Sequence, residues 1–453
     1  MELAVVILAA GKGTRMRSQL PKVAHPIAGR PMLSHVIDSA RALDARRICV
    51  VYGHGGELVR EKVPAPDAVW AEQAEQLGTG HAVAQAMPHV SEDVVLILYG
   101  DVPLIRPDTL RDFVGRVAPD RLALMTLEMD DPGAYGRIVR NAAGEVQAIV
   151  EFKDADDTQR AIREINTGIL ACPRGFLADA LPKLSSNNAQ GEYYLTDVIA
   201  MAVSAGLTVE AAQPQFAWEV DGVNDRVQLA RLERIYQQVQ AEQLMRAGVT
   251  VLDPARLDIR GNVTCGEDVV LDVNTVLEGD VSLATGVRVG PNCLIRNSRI
   301  GAGTVIEAHS IVEGADIGDA CQIGPFARLR PGTEMAPRSK VGNFVETKKT
   351  RIGPGSKVNH LTYLGDTALG SGVNVGAGTI TCNYDGVNKA RTEIGDNAFI
   401  GSNSSLVAPV TIGKDATVGA GSVITRDVEA GELAVARGKQ RNISGWPRPQ
   451  KKD

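Results

Sequence analysis

At 453 residues the chain is too long for one ordinary core, so two or three domains are expected. A net charge of −6 argues against a nucleic-acid surface, no apolar run approaches a membrane span, and no cleavable leader precedes the first apolar run. Forty-seven glycines beside 4% aromatics point to something repetitive and tightly turned. The six scattered cysteines, with no Cys-x-x-Cys pair, read as reduced cytoplasmic thiols rather than a metal cluster or disulfide framework.

Residues 3–8 form a short Val/Ile-rich run, the pattern of a buried first strand. Gly11 and Gly13 follow at once, where a backbone can turn sharply and approach a ligand. Successive N–H groups in such a loop make a concave anion site. Arg15 and Lys22 add the fixed positive charge that a phosphate-bearing substrate requires. The spacing is not a P-loop, and Met16 stands where the dinucleotide fingerprint needs its third glycine. A plain glycine turn beside two surface cations is the alternative, but the coincidence of strand, loop and cations favours phosphate.

Met32, Leu33, Val36, Ile37, Ala40 and Leu43 keep helical spacing, and residues 47–52, 94–99, 122–127 and 165–171 read as strands. With a helical stretch at 194–205, this alternation predicts an α/β domain with a mostly parallel sheet. Ligands of such sheets lie beyond the carboxyl ends of the strands. Asp101 stands there, one glycine past the 94–99 strand, and its hard oxygen suits Mg²⁺. The same aspartate could instead cap the Val102-Pro103 turn, and Asn224 reads either as a turn residue or as a second oxygen ligand.

From Asp225, a good N-cap, no glycine or proline intervenes until Gly248, which predicts a helix on the order of 30 Å long acting as a rigid spacer. Beyond it apolar residues recur every six, as in Leu271, Leu277, Leu283, Val289 and Ile295, or Ile317, Ile323, Leu329, Met335 and Val341. That period fits neither an amphipathic helix nor a heptad; it is the hexapeptide repeat of a parallel β-helix of about nine coils. Steps of five, as from Ile295 to Ile300, predict shortened corners, and the wide gap from Thr381 to Ile394 predicts an inserted loop. A solenoid alone could be a structural stalk. Polar residues interrupt this one: Arg328 and Arg330, then Glu346 and Lys348, then His360 and Tyr363. An imidazole there can take a proton from an attacking amine, although a lone histidine is more often a packed or surface residue.

Leu8, Gly11, Gly13, Thr14, Met16, Pro21 and Lys22 match the nucleotide loop of the sugar-1-phosphate nucleotidyltransferases. With Gln73, Gly78-Thr79-Gly80, Tyr99-Gly100-Asp101, Tyr135-Gly136-Arg137, Glu151, residues 164–168 and 222–226, and the solenoid motifs, nearly the whole chain resembles one family. That family is the bifunctional N-acetylglucosamine-1-phosphate uridyltransferase / glucosamine-1-phosphate acetyltransferases. The resemblance implies a Rossmann-like α/β nucleotidyltransferase domain joined by a long helix to a left-handed parallel β-helix. The implied boundaries are 1–225, a linker helix at 226–247, the β-helix at 248–435 and a tail at 436–453.

By the same resemblance Leu8, Ala9, Ala10, Gly11, Gln73, Gly78 and Thr79 hold the uridine of UTP, with Tyr99 and Gly100 beside them. Gly136, Glu151 and Asn166 hold N-acetylglucosamine-1-phosphate, Arg15 and Lys22 contact phosphates, and Asp101 with Asn224 holds Mg²⁺. In the second half His360 is the base and Glu346 helps orient the amine. Arg330, Lys348, Tyr363 and Asn374 bind glucosamine-1-phosphate, and Ala377, Asn383, Tyr384, Ser402, Ala420 and Arg437 contact acetyl-CoA. The implied product is UDP-N-acetylglucosamine, which supplies peptidoglycan and lipopolysaccharide precursors, and the implied assembly is a homotrimer through the β-helix. The basic tail (Lys439, Arg441, Arg448, Lys451, Lys452) either reaches the phosphates of CoA or is a frayed terminus. One rival reading is a single-activity nucleotidyltransferase with a non-catalytic β-helix; another is a scaffold that has lost turnover.

Overall fold

The computed structural model describes residues 1–11, 13–53 and 55–451; Lys452, counted with the basic tail, lies outside them. The chain divides into two units, Met1–Tyr236 and Gln237–Asp453.

The first unit is built on a nine-stranded sheet: β1 (Leu3–Ala9), β2 (Arg47–Tyr52), β3 (Val69–Glu72), β4 (Val94–Tyr99), β5 (Arg121–Glu128), β6 (Arg137–Arg140), β7 (Val146–Val150), β8 (Glu164–Pro173) and β9 (Thr208–Ala212). The main path runs β9-β5-β8-β4-β1-β2-β3. Neighbours on it are parallel except at β8, which lies antiparallel to both β4 and β5. The continuous apolar run of β1 is explained by burial on both faces. Ala4, Val6 and Leu8 enter one core with Val95 and Ile97, while Val5, Ile7 and Ala9 enter the other with Leu96 and Leu98. The Met32–Arg41 helix covers the second face through Leu33, Val36, Ile37 and Ala40, matching its helical spacing. Each buried Val, Leu or Ile among these contributes about 1.5–3 kcal/mol on burial.

One expected helix is shorter than its apolar pattern: it runs Asp197–Ser204, not from 194. The preceding backbone donors are used elsewhere, Tyr193 N–H by the Leu77 carbonyl at 2.8 Å and Leu195 N–H by Thr79 Oγ1 at 3.1 Å. The Arg226–Arg246 helix begins as expected, with Asp225 Oδ1 accepting from the N–H groups of Val227 and Gln228, both at 2.9 Å.

In the second unit two parallel ladders, of eleven and fourteen strands, wind into a three-sided solenoid. The six-residue period becomes three buried columns. Leu271, Val289, Ile306, Ile323, Val341, Val358 and Val375 stack in one. Leu277, Ile295, Val312, Leu329, Thr347 and Leu364 form the second. Leu283, Ile300, Ile317, Met335, Ile352 and Leu369 form the third. Thr347 is inward and fully buried, and its hydroxyl meets that of Thr333 at 2.9 Å. The five-residue step at Ile295–Ile300 is a shortened corner: Glu278 to Val281 of one coil faces Arg296 to Ser298 of the next. In the last helical turns before the solenoid, the Gln237 amide exchanges two hydrogen bonds with Ile259, at 2.7 and 2.8 Å. No helix among the described residues is long and apolar enough to cross a membrane.

Candidate active sites

In the first unit the carboxyl ends of β1, β2 and β4 lie level, because Leu8 pairs with Tyr99 and Ala9 with Tyr52. A cavity of about 310 Å³ opens over that edge, and Leu8, Ala9, Ala10, Gly11, Lys22, Gln73, Gly78, Thr79, Tyr99 and Asp101 line it. Of the two glycines after β1, Gly13 has a steric reason. Gly13 has φ +59°, and a Cβ there would lie 2.5 Å from Cβ of Lys22, so glycine lets the loop close onto the lysine.

Four polar side chains from distant segments then meet. Lys22 Nζ donates to Asp101 Oδ2 in a short contact and lies 3.4 Å from Asn224 Oδ1. Arg15 Nη2 donates to the same Asn224 oxygen at 2.9 Å. Two bonds fix that oxygen's segment: Val223 N–H to the Asp101 carbonyl at 2.9 Å and Asn224 N–H to Gln228 Oε1 at 2.7 Å. Among the described residues no three His, Cys, Asp or Glu side chains gather as a metal cluster. Asp101 Oδ2 and Asn224 Oδ1 nevertheless face one cation already, the Lys22 ammonium. Two hard oxygens so placed fit Mg²⁺, which completes its shell with water and substrate phosphate oxygens.

Gly136, Glu151 and Asn166 form a separate patch outside the cavity lining. Asn166 N–H donates to the Gly136 carbonyl at 2.9 Å, and a Cβ on Gly136 would lie 3.5 Å from Glu151 Oε2. Burial pushes the Glu151 carboxyl up, against a 3.1 Å hydrogen bond from Thr196 Oγ1 that favours the anion. Tyr99 links this patch to the first cluster: burial raises its phenol, and the charges of Glu151 and Asp101 add to that. Gly168, at φ +89°, gives the Tyr99 ring its space, since a Cβ there would fall 2.5 Å from the ring. Arg137 belongs to the frame. It is 2% exposed, and its guanidinium donates to the carbonyls of Tyr135, Gly133 and Arg160.

On the solenoid, Arg328, Glu346, Tyr363 and Ile380 stand in register along one outward row. Arg330 Nη1 donates to Glu346 Oε1 at 2.8 Å. The Lys348 ammonium is depressed, chiefly by Lys389 and then by Arg330, so three cations converge. Two coils earlier Arg296 is neutralised on both sides, by Glu278 at 3.0 Å and Glu313 at 3.2 Å. Lys389 stands at the end of the inserted loop, where Asp385 Oδ1 accepts from the N–H groups of Val387 and Asn388 and Tyr384 bridges to Lys389. The Asn383 amide donates to Asp366 Oδ2 at 2.6 Å, and with the Tyr363 hydroxyl it lies over Gly365.

His360 ends its strand at a corner, with Nδ1 2.6 Å from Oδ1 of Asn343, its register partner on the preceding coil. With that oxygen accepting from Nδ1–H, Nε2 keeps its lone pair for an incoming proton. The same corner continues coil by coil. Gly378 N–H donates to the His360 carbonyl, Asn403 N–H to that of Ala377 and Gly421 N–H to that of Ser402; Arg437 Nη1 then donates to the Ala420 carbonyl at 2.8 Å. His360, Ala377, Ser402, Ala420 and Arg437 therefore form one column. Asn374 lies on the same ladder, in register with Lys357. Lys439, Arg441, Arg448 and Lys451 of the tail are exposed.

Sequence reasoning missed four residues. Gln76 and Glu192 line the first cavity, and Gln76 Nε2 donates to the Ala10 carbonyl. Asn343 orients His360, and Lys389 joins the cation group. Only Lys389 carried a signal, a basic residue flanking the insertion.

Residues 5–166 match the MobA-like NTP transferase domain, residues 259–381 the GMPPB C-terminal domain and residues 391–426 the six-repeat bacterial transferase hexapeptide family. The chain is 67% identical over 451 residues to a protein of Alcanivorax borkumensis, with 100% of each chain covered. It is 62% identical to one of Cellvibrio japonicus, over 99% of this chain and 100% of that one, and 60% identical to one of Marinobacter nauticus, over 99% of each. All three relatives carry the name bifunctional protein GlmU.

Proposed function

The chain belongs to the bifunctional GlmU family, a uridyltransferase and an acetyltransferase in one polypeptide, and on that premise we propose how its residues divide the two reactions. Acetyl-CoA-dependent N-acetylation of glucosamine-1-phosphate belongs to the hexapeptide unit, a left-handed β-helix. Uridylyl transfer from UTP to the product, giving UDP-N-acetylglucosamine for cell-wall synthesis, belongs to the α/β unit.

The convergence of Arg15, Lys22, Asp101 and Asn224 carries the first assignment. A phosphate oxygen of N-acetylglucosamine-1-phosphate attacks the α-phosphorus of UTP and pyrophosphate leaves. The nucleophile is already an anion and needs no base, so catalysis is positioning and charge neutralisation. Arg15, Lys22 and the loop N–H groups meet the negative charge that builds on the phosphates. Mg²⁺ held by Asp101 and Asn224 supplies further neutralisation when bound. Leu8 to Gly11, Gln73, Gly78 and Thr79 take the nucleoside, beside Tyr99 and Gly100. Gly136, Glu151 and Asn166 take the amino sugar.

In the second reaction the amine of glucosamine-1-phosphate attacks the thioester carbonyl carbon. The C–N bond forms as His360 Nε2 takes the amine proton; the C–S bond then breaks and that proton passes to the departing sulfur, so CoA leaves as the thiol. Asn343 holds the opposite edge of the ring. Arg330, Lys348 and Lys389 bind the phosphate, with Glu346 placing the Arg330 guanidinium and Tyr363 and Asn374 completing the sugar site. Ala377, Asn383, Tyr384, Ser402, Ala420 and Arg437 line the path of acetyl-CoA. Beside His360 runs an exposed apolar strip, Phe326, Phe344 and Leu361 at 48, 55 and 61% exposure, with His309, Phe326 and Phe344 ring-stacked. Such a strip supports a homotrimer that closes the site between chains. The scatter of the six cysteines, with no Cys-x-x-Cys pair, favours a reducing cytoplasm.

A coupled assay with glucosamine-1-phosphate, acetyl-CoA, UTP and Mg²⁺, following thiol and pyrophosphate separately, tests this reading. Thiol release and then acetyl-CoA-dependent pyrophosphate release is the expected result. Pyrophosphate from supplied N-acetylglucosamine-1-phosphate with no thiol release would leave one activity only.

A further inference from the structure

Both oxygens assigned to the metal already hold a cation of the chain. Lys22 Nζ is bound to Asp101 Oδ2 and lies 3.4 Å from Asn224 Oδ1, which also accepts from Arg15. The side chains of Lys22 and Asp101 are only 13 and 17% exposed, so water screens the pair weakly. Mg²⁺ binds oxygen at about 2.0–2.1 Å. An ion at that distance from Asp101 Oδ2 would face the ammonium at close range, so the two cations compete for that oxygen. The lysine has somewhere else to go. It lines the nucleotide cavity together with Gly11, and its stem emerges against Gly13 on a flexible four-carbon tether.

We propose that Lys22 is the resident counter-ion of the metal site. In the substrate-free enzyme its ammonium keeps Asp101 and Asn224 gathered and holds off the free divalent ion. The phosphates of an incoming nucleotide draw Lys22 away from Asp101 and open the carboxylate, so metal and nucleotide enter together. This inference rests on the assignment of Asp101 and Asn224 as metal ligands.

The test is titration of the full-length, nucleotide-free protein with Mn²⁺, free ion being read by electron paramagnetic resonance. Lys22→Gln should bind Mn²⁺ about tenfold more tightly than wild type, since removing a neighbouring like charge shifts ionic equilibria by that order. Lys22→Arg, which keeps the charge, should stay close to wild type, and Asp101→Asn should abolish the tight binding of Lys22→Gln. Equal or weaker binding by Lys22→Gln, in a background where Asp101→Asn still lowers Mn²⁺ affinity, would overturn the counter-ion role alone. Binding indifferent to Asp101→Asn in both backgrounds would remove the metal assignment and the inference with it. Wild-type crystals soaked with Mn²⁺ and UTP give an independent reading, in case a variant misfolds. Lys22 Nζ should then lie on a phosphate; an Asp101 that carries Mn²⁺ and Lys22 together would refute the proposal.

Discussion

In the first unit, Arg15, Lys22, Asp101 and Asn224 come from segments up to 209 positions apart and meet beside a walled cavity. In the second, Asn343, His360, Ala377, Ser402 and Ala420 come one per coil and lie along an outward corner beside exposed apolar rings. An α/β sheet concentrates chemistry, because parallel strands all end at one edge. A solenoid spreads it out, because each coil touches only its neighbours. The first arrangement is a pocket, whereas the second is an open surface.

The sharpest way to break that contrast is to delete one centre and watch the other. His360→Ala should lower acetyl transfer by about 10²–10⁴-fold and spare pyrophosphate release. Asp101→Ala should cost uridylyl transfer about 10²–10³-fold and spare thiol release. Loss of both activities from either change would mean the sites are not separate. Phe344→Asp comes next: it should weaken self-association by about 2 kcal/mol or more, seen by sedimentation. Acetylation should fall with it, and uridylyl transfer should remain. Gly168→Ala, forcing a side chain into φ +89° against Tyr99, should cost about 1–3 kcal/mol of stability in thermal unfolding of the α/β unit. Lys389→Met should raise KM for glucosamine-1-phosphate by about tenfold with kcat little changed, as loss of one charged hydrogen bond requires.

The smallest effect concerns Glu151. Its carboxyl is raised by burial, so the folded chain keeps that proton to a higher pH than the unfolded chain does. Wild-type stability therefore falls as pH rises from the usual carboxylate range through the folded value. Glu151→Gln should remove this slope, leaving Tm unchanged at pH 4 and higher than wild type at pH 7. A wild-type Tm that falls no further than the variant's across that interval would contradict the assigned direction.

The same contrast explains what the sequence revealed. The β1 run and the six-residue period are repetitive, and repetition survives translation into buried columns without knowledge of the fold. Gly13 was legible because a left-handed backbone pressed against Lys22 has no room for a side chain. Asn343 was not legible, because its partnership with His360 exists only through the register of adjacent coils. Gln76 likewise has no periodic partner; it matters because a turn carries its amide to the Ala10 carbonyl. The 194–205 stretch misled because Tyr193 and Leu195 give their N–H groups to Leu77 and Thr79 rather than to a helix.

The insertion between the strands Ile380–Cys382 and Thr392–Ile394 leaves the ladder unbroken on both sides. Ile380 still pairs with Ser405, and Thr367 with Thr392. The coil therefore treats the loop as an appendage, folded by its own Asp385 turn. A scaffold that admits extra residues at a corner without losing register is open to grafting. Loops of other length could be exchanged there to redirect the acyl acceptor, while the frame beneath stays as it is.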